Sequence, residues 1–127
     1  MYLIDTGGWL AFFAGAPLSE QYKRYLQGPD TVLCPTIVLY EVTKKIELTN
    51  GRQAAAEAAA QLQKMTVVPL DEALATAAAR SSIQYKLPMA DAIIYTTALV
   101  YGATLVTSDA HYQALPSVIY LPHPGKN

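Results

Sequence analysis

Short unbroken apolar runs alternate along this chain with longer stretches whose apolar residues recur at helical spacing. Tyr2–Ile4 is apolar and stops abruptly at Asp5-Thr6-Gly7-Gly8, which predicts a strand followed by a turn. A short helix is predicted over Trp9–Ala14, stopped by Gly15 and Pro17. A second runs from Ser19 through Leu26 and is closed by Gly28-Pro29. Thr31–Leu33 reads as a brief strand. Past Pro35, the stripe Ile37, Val38, Val42 and Ile46 predicts a helix over Thr36–Leu48, ended by Asn50-Gly51. Arg52–Lys64 is alanine-rich and helical by propensity.

The same alternation continues to the end. Met65–Pro69 is the third strand, and Asp71 is the N-cap of a helix from Glu72 to about Gln84. Met89–Tyr101 is a helix with Gly102 where a C-cap belongs. Ala103–Val106 is a strand, Asp109–Ala114 a short helix, Val118–Leu121 a final strand and Pro122–Asn127 a loose tail. Short apolar strands separated by helices predict an α/β fold, a mostly parallel sheet covered by helices on both faces. The 127 residues suit one domain, and neither a fixed-period repeat nor a linker interrupts them.

Composition narrows the function classes. Hydrophobic residues are 52% and charged ones 15%, against roughly 25% charged in an average soluble chain, which excludes a disordered protein. So few charges also predict apolar surface for partners to cover. Nine Lys+Arg against ten Asp+Glu give a net charge of −1. Any nucleic-acid binding must then rely on a local basic patch or a metal ion. Cys34 is alone and cannot form an internal disulfide, and no Cys/His cluster suggests zinc. The first residues carry no positive n-region. The charge-free stretch Thr6–Ser19 is too short and too broken by glycine and proline to span a bilayer. A soluble, cytoplasmic domain with no membrane partner is expected.

Six of the ten acids have ordinary explanations on solvated helix faces, in a turn or at a helix start: Glu20, Asp30, Glu47, Glu57, Asp71 and Glu72. The other four differ. Asp5 follows Tyr-Leu-Ile directly and Asp109 follows Thr-Leu-Val-Thr-Ser, each at the carboxyl end of a strand, while Glu41 and Asp91 sit beside the apolar faces of helices. Ligands of open α/β sheets bind outside the carboxyl ends of the strands. Two unit charges about 4 Å apart repel by roughly 4 kcal/mol at an effective dielectric near 20, so a convergent quartet needs bound protons or a bound cation. An all-oxygen site with no His or Cys nearby suits magnesium or manganese, and such a site serves phosphoryl transfer. Taken singly, each acid has a capping or ion-pair role as its competing reading.

Asp5-Thr6 after an apolar strand, Pro35 through Glu41, Leu87-Pro88-Met89-Ala90-Asp91-Ala92-Ile93-Ile94 and Thr104-Leu105-Val106-Thr107-Ser108-Asp109-Ala110-His111-Tyr112 together resemble the PIN domain. More narrowly, they resemble the toxin subunits of VapBC toxin–antitoxin modules, from Met1 to about Leu121. The resemblance implies a three-layer α/β/α sandwich with strand order 3-2-1-4-5, as a single domain over residues 1–121 with 122–127 as a tail. It implies a magnesium- or manganese-dependent endoribonuclease that leaves 5′-phosphates, with Asp5, Glu41, Asp91 and Asp109 as the catalytic quartet. Asp5, Asp91 and Asp109 would contact the metal, and Glu41 would orient the attacking water or hold a second ion. Thr107 would support the fourth acid. The implied partners are RNA, an antitoxin protein and a second copy in a homodimer, with DNA reached only through the antitoxin. One departure is Gly7, where many relatives carry Ser or Thr; Thr6 is the nearest replacement hydroxyl.

Other residues keep two readings each. Lys44 and Lys45 share a helix face with Glu41, either as RNA contacts or supports for Glu41, or as a solvated edge with a weak ion pair. Trp9, Phe12 and Phe13 fall within about one turn and cannot all face one core; the remainder would form an apolar groove for a partner. The tyrosines, Tyr22, Tyr25, Tyr40, Tyr95 and Tyr101 among them, read as packing residues, with base stacking as the alternative. His111 is expected to make a local hydrogen bond, His123 to do nothing, and Cys34 to be a small buried hydrophobe. Beside the nuclease stand two further hypotheses: a catalytically weak or inactive PIN-fold module that binds a partner protein or RNA, and a small-molecule phosphatase.

Overall fold

Burial on both faces explains why the strands read as unbroken apolar runs. Leu3 and Ile4 of β1 (Tyr2–Ile4) are fully buried, as are Leu105 and Val106 of β4 (Thr104–Thr107), and all four residues of β2 (Val32–Pro35) are buried. The structure, a computed structural model, describes residues 1–124. With β3 (Thr66–Val68) and β5 (Val118–Tyr120), these strands form one sheet in the order β3-β2-β1-β4-β5. All four pairings are parallel, so the sheet is wholly rather than mostly parallel. The two edge strands span only three residues each, which limits unpaired edge.

Six helices flank the sheet as the outer layers of an α/β/α sandwich: α1 (Thr6–Ala14), α2 (Ser19–Leu26), α3 (Thr36–Asn50), α4 (Arg52–Leu62), α5 (Glu72–Tyr85) and α6 (Met89–Tyr101). The chain steps outward from β1 through β2 to β3, then returns through α5 and α6 to β4 on the other side of β1. The strand order therefore reverses between β1 and β4, and a crevice opens beyond their carboxyl ends. Ile4 pairs with Val106 in register, so the residues just after these strands emerge together.

Boundaries differ from expectation mainly at two places. α1 begins at Thr6, not Trp9, because the Asp5 side chain caps it by accepting a hydrogen bond from the Gly8 N–H at 2.8 Å. The predicted turn at Gly7-Gly8 is thus the first turn of a helix. Gly8 is required there: a Cβ would come within 2.6 Å of both Ile4 Cγ2 and Tyr22 Cε1, in the packed core. The expected Asp109–Ala114 helix shrinks to a single 3-10 turn, Ala110–Tyr112, capped by Asp109. Elsewhere Asp71 caps α5 through the Leu74 N–H, and Gly102 closes α6 in the left-handed region, as the sequence suggested.

Trp9 is 2% exposed and belongs to the core, which corrects its place among the partner-facing residues. Its indole stacks on Phe13 at 5.8 Å, and Phe12 and Phe13 are half-buried. Cys34 is buried as expected, and burial pushes its thiol up to about 12. Among the described residues no helix is long and apolar enough to cross a membrane. Of the expected tail, residues 125–127 lie outside the described residues. His123 and Pro124 run along the crevice, so His123 has a place at the site that the sequence did not suggest.

Candidate metal centre

The crevice has a volume of about 760 Å³, and Asp5, Glu41, Asp91 and Asp109 all line it. Asp5 and Asp109 reach it from the adjacent strands β1 and β4, Asp91 from the first turn of α6, and Glu41 from α3. Among the described residues no Lys or Arg lines it. Among the described residues the only ion pairs are those of His111 with Asp91 and Asp109.

Asp5 is the buried member. Its Oδ1 accepts from the Gly8 N–H, and its Oδ2 accepts from the Thr107 hydroxyl at 2.5 Å. Burial pushes its carboxyl up to about 6; the two hydrogen bonds pull the other way, and the Asp109 and Asp91 charges add to the rise. Thr107 Oγ1 also accepts from the Asp109 N–H at 2.9 Å. The expected support of the fourth acid thus reaches the first acid as well.

Asp91, Asp109 and His111 form the tightest group, each offering one ligand atom within 4.8 Å of the others. His111 Nδ1 lies 3.0 Å from Asp91 Oδ2 and 3.4 Å from Asp109 Oδ1, while its backbone N–H donates to Asp109 Oδ1 at 2.9 Å. The hydrogen bond to Asp91, with the Asp109 charge behind it, raises the imidazole above its ordinary value. The expectation of no histidine at the site is corrected. The 3-10 turn after Asp109 folds His111 back onto both acids, a curl that the i,i+2 spacing does not announce. Tyr112 secures the other side through its hydroxyl, which donates to the Asp91 carbonyl at 3.2 Å.

Glu41 stands apart from this group on the same crevice, held by the Thr6 hydroxyl, which donates to its Oε1 at 2.6 Å. Thr6 therefore serves Glu41 and does not replace a hydroxyl at position 7. The space at Gly7 is open: a Cβ there would touch only the Asp5 carboxylate oxygens, at 3.8 and 3.9 Å. Neither Lys44 nor Lys45 pairs with Glu41. Both border a shallow groove beside the crevice, together with Tyr40. Phe13 lines a separate groove with residues of α3 and α4.

These residues fit a divalent cation. Asp91 Oδ1 and Asp109 Oδ2 have no protein donor among the described residues, and no Lys or Arg neutralises them. Carboxylate oxygens suit magnesium or manganese, and one imidazole nitrogen favours manganese of the two. Like charges converging with one exposed imidazole as their counter-charge are otherwise unfavourable.

Comparison with known proteins bears on the fold and the family. The family model of the PIN domain matches residues 2–117. A chain of a toxin–antitoxin complex from Klebsiella pneumoniae superposes with a TM-score of 0.79 at 22% identity, covering 94% of this chain and 96% of that one. A chain of VapBC2 from Rickettsia felis, solved bound to a DNA fragment from the promoter, gives 0.73 at 15% identity, covering 95% and 97%. VapC20 of Mycobacterium tuberculosis, a toxin that cleaves the sarcin–ricin loop, gives 0.74 at 21% identity, covering 91% and 95%. No curated protein matches the chain. With the family model spanning nearly its whole length and its five-stranded parallel order, the chain belongs to the PIN-domain family.

Proposed function

We propose that this chain is a metal-dependent endoribonuclease, the toxin of a toxin–antitoxin pair, and that it hydrolyses RNA phosphodiesters to leave 5′-phosphates. The observation that carries this reading is the convergence of Asp5, Glu41, Asp91 and Asp109 on one crevice that no Lys or Arg lines among the described residues. Asp91 and Asp109, with Asp5 behind them, would hold magnesium or manganese. A bound ion of this kind lowers the pKa of water and offsets charge on phosphate oxygens. Thr107 and the Gly8 N–H keep Asp5 oriented, and Thr6 does the same for Glu41. Glu41 Oε2, which Thr6 leaves free, takes a proton from the attacking water. The new P–O bond forms as the bond to the 3′ oxygen breaks, and that oxygen takes a proton from bulk water as it leaves as a hydroxyl.

The similar structures come from toxin–antitoxin systems, one of them bound to promoter DNA and one an RNA-cleaving toxin. By that likeness the partners are an antitoxin protein and, through it, DNA; a second copy of the chain and a cytoplasmic location are part of the proposal. Residues 1–121 form the nuclease unit. The half-buried Phe12 and Phe13 belong to the face the antitoxin covers.

A weak or inactive binding module is the second reading, favoured by His111 bridging the two acids that would hold the ion. The purified chain with single-stranded RNA and manganese or magnesium decides between them. The nuclease cuts, leaves 5′-phosphates, and stops in EDTA or on Asp91→Asn. Cleavage that persists in EDTA, or ends in a 2′,3′-cyclic phosphate, overturns the reading; an inert chain favours the module.

A further inference from the structure

Tyr40 is 57% exposed, an aromatic ring left outside the core at the position immediately before Glu41 on α3. Lys44, one turn on, holds its Nζ 5.7 Å from the centre of this ring and 3.5 Å from its hydroxyl. The groove these side chains border is lined also by Thr6, Leu10, Glu41, Lys45 and Leu48. Thr6 and Glu41 line the acidic crevice too, so groove and crevice adjoin at these two side chains. In a chain with nine Lys+Arg, two adjacent lysines stand at the rim of a crevice that has none among its described lining residues.

We propose that this groove is where the RNA strand leaves the crevice. Tyr40 stacks one base of single-stranded RNA, and Lys44 and Lys45 hold the adjoining phosphates. The inference rests on the nuclease reading and names how its substrate is gripped. An exposed ring gives a base a π-face whatever its sequence, and ammonium groups beside it meet the backbone. The acids repel phosphate, so a strand reaching them needs such a contact close by. Two ammonium groups and a carboxylate stand beside the ring, and the paired positive charge is what suits a polyanionic strand.

The test uses the full chain carrying Asp91→Asn and a single-stranded oligoribonucleotide with one 2-aminopurine. Binding quenches the fluorophore when it reaches Tyr40. Tyr40→Ala then weakens binding by about fivefold to 150-fold, the range measured for loss of one stacked base, and abolishes the quench. Tyr40→Phe and Tyr40→Trp retain both. Lys44→Met weakens binding and flattens its salt dependence. In the unmodified active chain, Tyr40→Ala raises KM and leaves kcat within about twofold, as expected for a lost uniform contact. Unchanged affinity and KM in Tyr40→Ala overturn the proposal, and so does that result coupled with release of a co-expressed protein partner. Failure of the parent chain to cut RNA with either metal sinks the nuclease reading instead, while a Tyr40-dependent quench still supports the stacking site.

Discussion

Thr107 donates its hydroxyl to Asp5 Oδ2 at 2.5 Å, joining residues 102 positions apart, and with the same oxygen accepts the Asp109 N–H. One side chain thus sets the distance between the carboxyl ends of two neighbouring strands. Thr107→Val keeps the shape and removes the donor, leaving a buried carboxylate short of one partner. The expected cost is about 1.5–3 kcal/mol, the range for a hydrogen bond to a charged group, and it is largest above pH 6, where Asp5 is ionised. Chemical denaturation at pH 5 and pH 8 checks this. Metal affinity, followed by calorimetry, falls in the same variant.

Asp5 also gives the metal-free chain a pH dependence of definite sign. Its carboxyl is near 6 in the fold against 3.8 unfolded, so between these values the folded state binds more protons. Stability therefore falls as pH rises through this window, by roughly 3 kcal/mol from this group alone. His111 adds to the same trend: an imidazole raised by Asp91 and Asp109 contributes stability below its unfolded value and loses it as pH climbs. Asp5→Asn removes the first contribution. Denaturation midpoints from pH 4 to pH 7 in EDTA, compared between parent and variant, carry the test: parallel curves refute it.

Much of this was open to reading in the chain because burial on both faces leaves a plain mark. β1, β2 and β4 are largely apolar runs, and the acids just beyond β1 and β4, Asp5 and Asp109, stand out against them. Residues whose role depends on a local curl were hidden. His111 reads as a neutral neighbour of Asp109 until the 3-10 turn brings its ring to Asp91. The Gly7-Gly8 pair reads as a turn until Asp5 caps the helix there. Trp9 lies in a helix with almost no polar face to orient it, so its burial had no periodic signal. Tyr40 is the reverse case, an aromatic residue that α3 turns outward.

The adjacent glycines separate sharply. Gly7→Ser meets only ordinary contacts and removes a helical glycine, so it raises stability by up to about 1 kcal/mol and puts a hydroxyl beside Asp5. Gly8→Ala drives a methyl into Ile4 and Tyr22. It costs about 1–3 kcal/mol, as overpacking does, and shifts the N–H that holds Asp5. Thermal melts of the two variants rank them. Calorimetry adds a second difference: Gly8→Ala weakens metal binding and Gly7→Ser does not.

With a divalent ion held at Asp91 and Asp109, His111 is expected to set which ion is preferred. A site of carboxylates alone treats magnesium and manganese by size and hydration, whereas an imidazole nitrogen adds a donor that favours manganese. His111→Gln keeps a side chain that can hydrogen-bond Asp91 but removes that nitrogen. It is expected to lower manganese affinity several-fold and leave magnesium affinity within about twofold, so the ratio of the two dissociation constants moves toward unity. The variant also exposes Asp91 and Asp109 to each other without the imidazole between them. The metal-free chain then melts lower, and saturating magnesium recovers about 2.7 kcal/mol at a hundredfold excess over its dissociation constant. A His111→Gln chain that binds both ions more tightly than the parent would instead make the imidazole a competitor for the site, and the second reading of the function would gain by it.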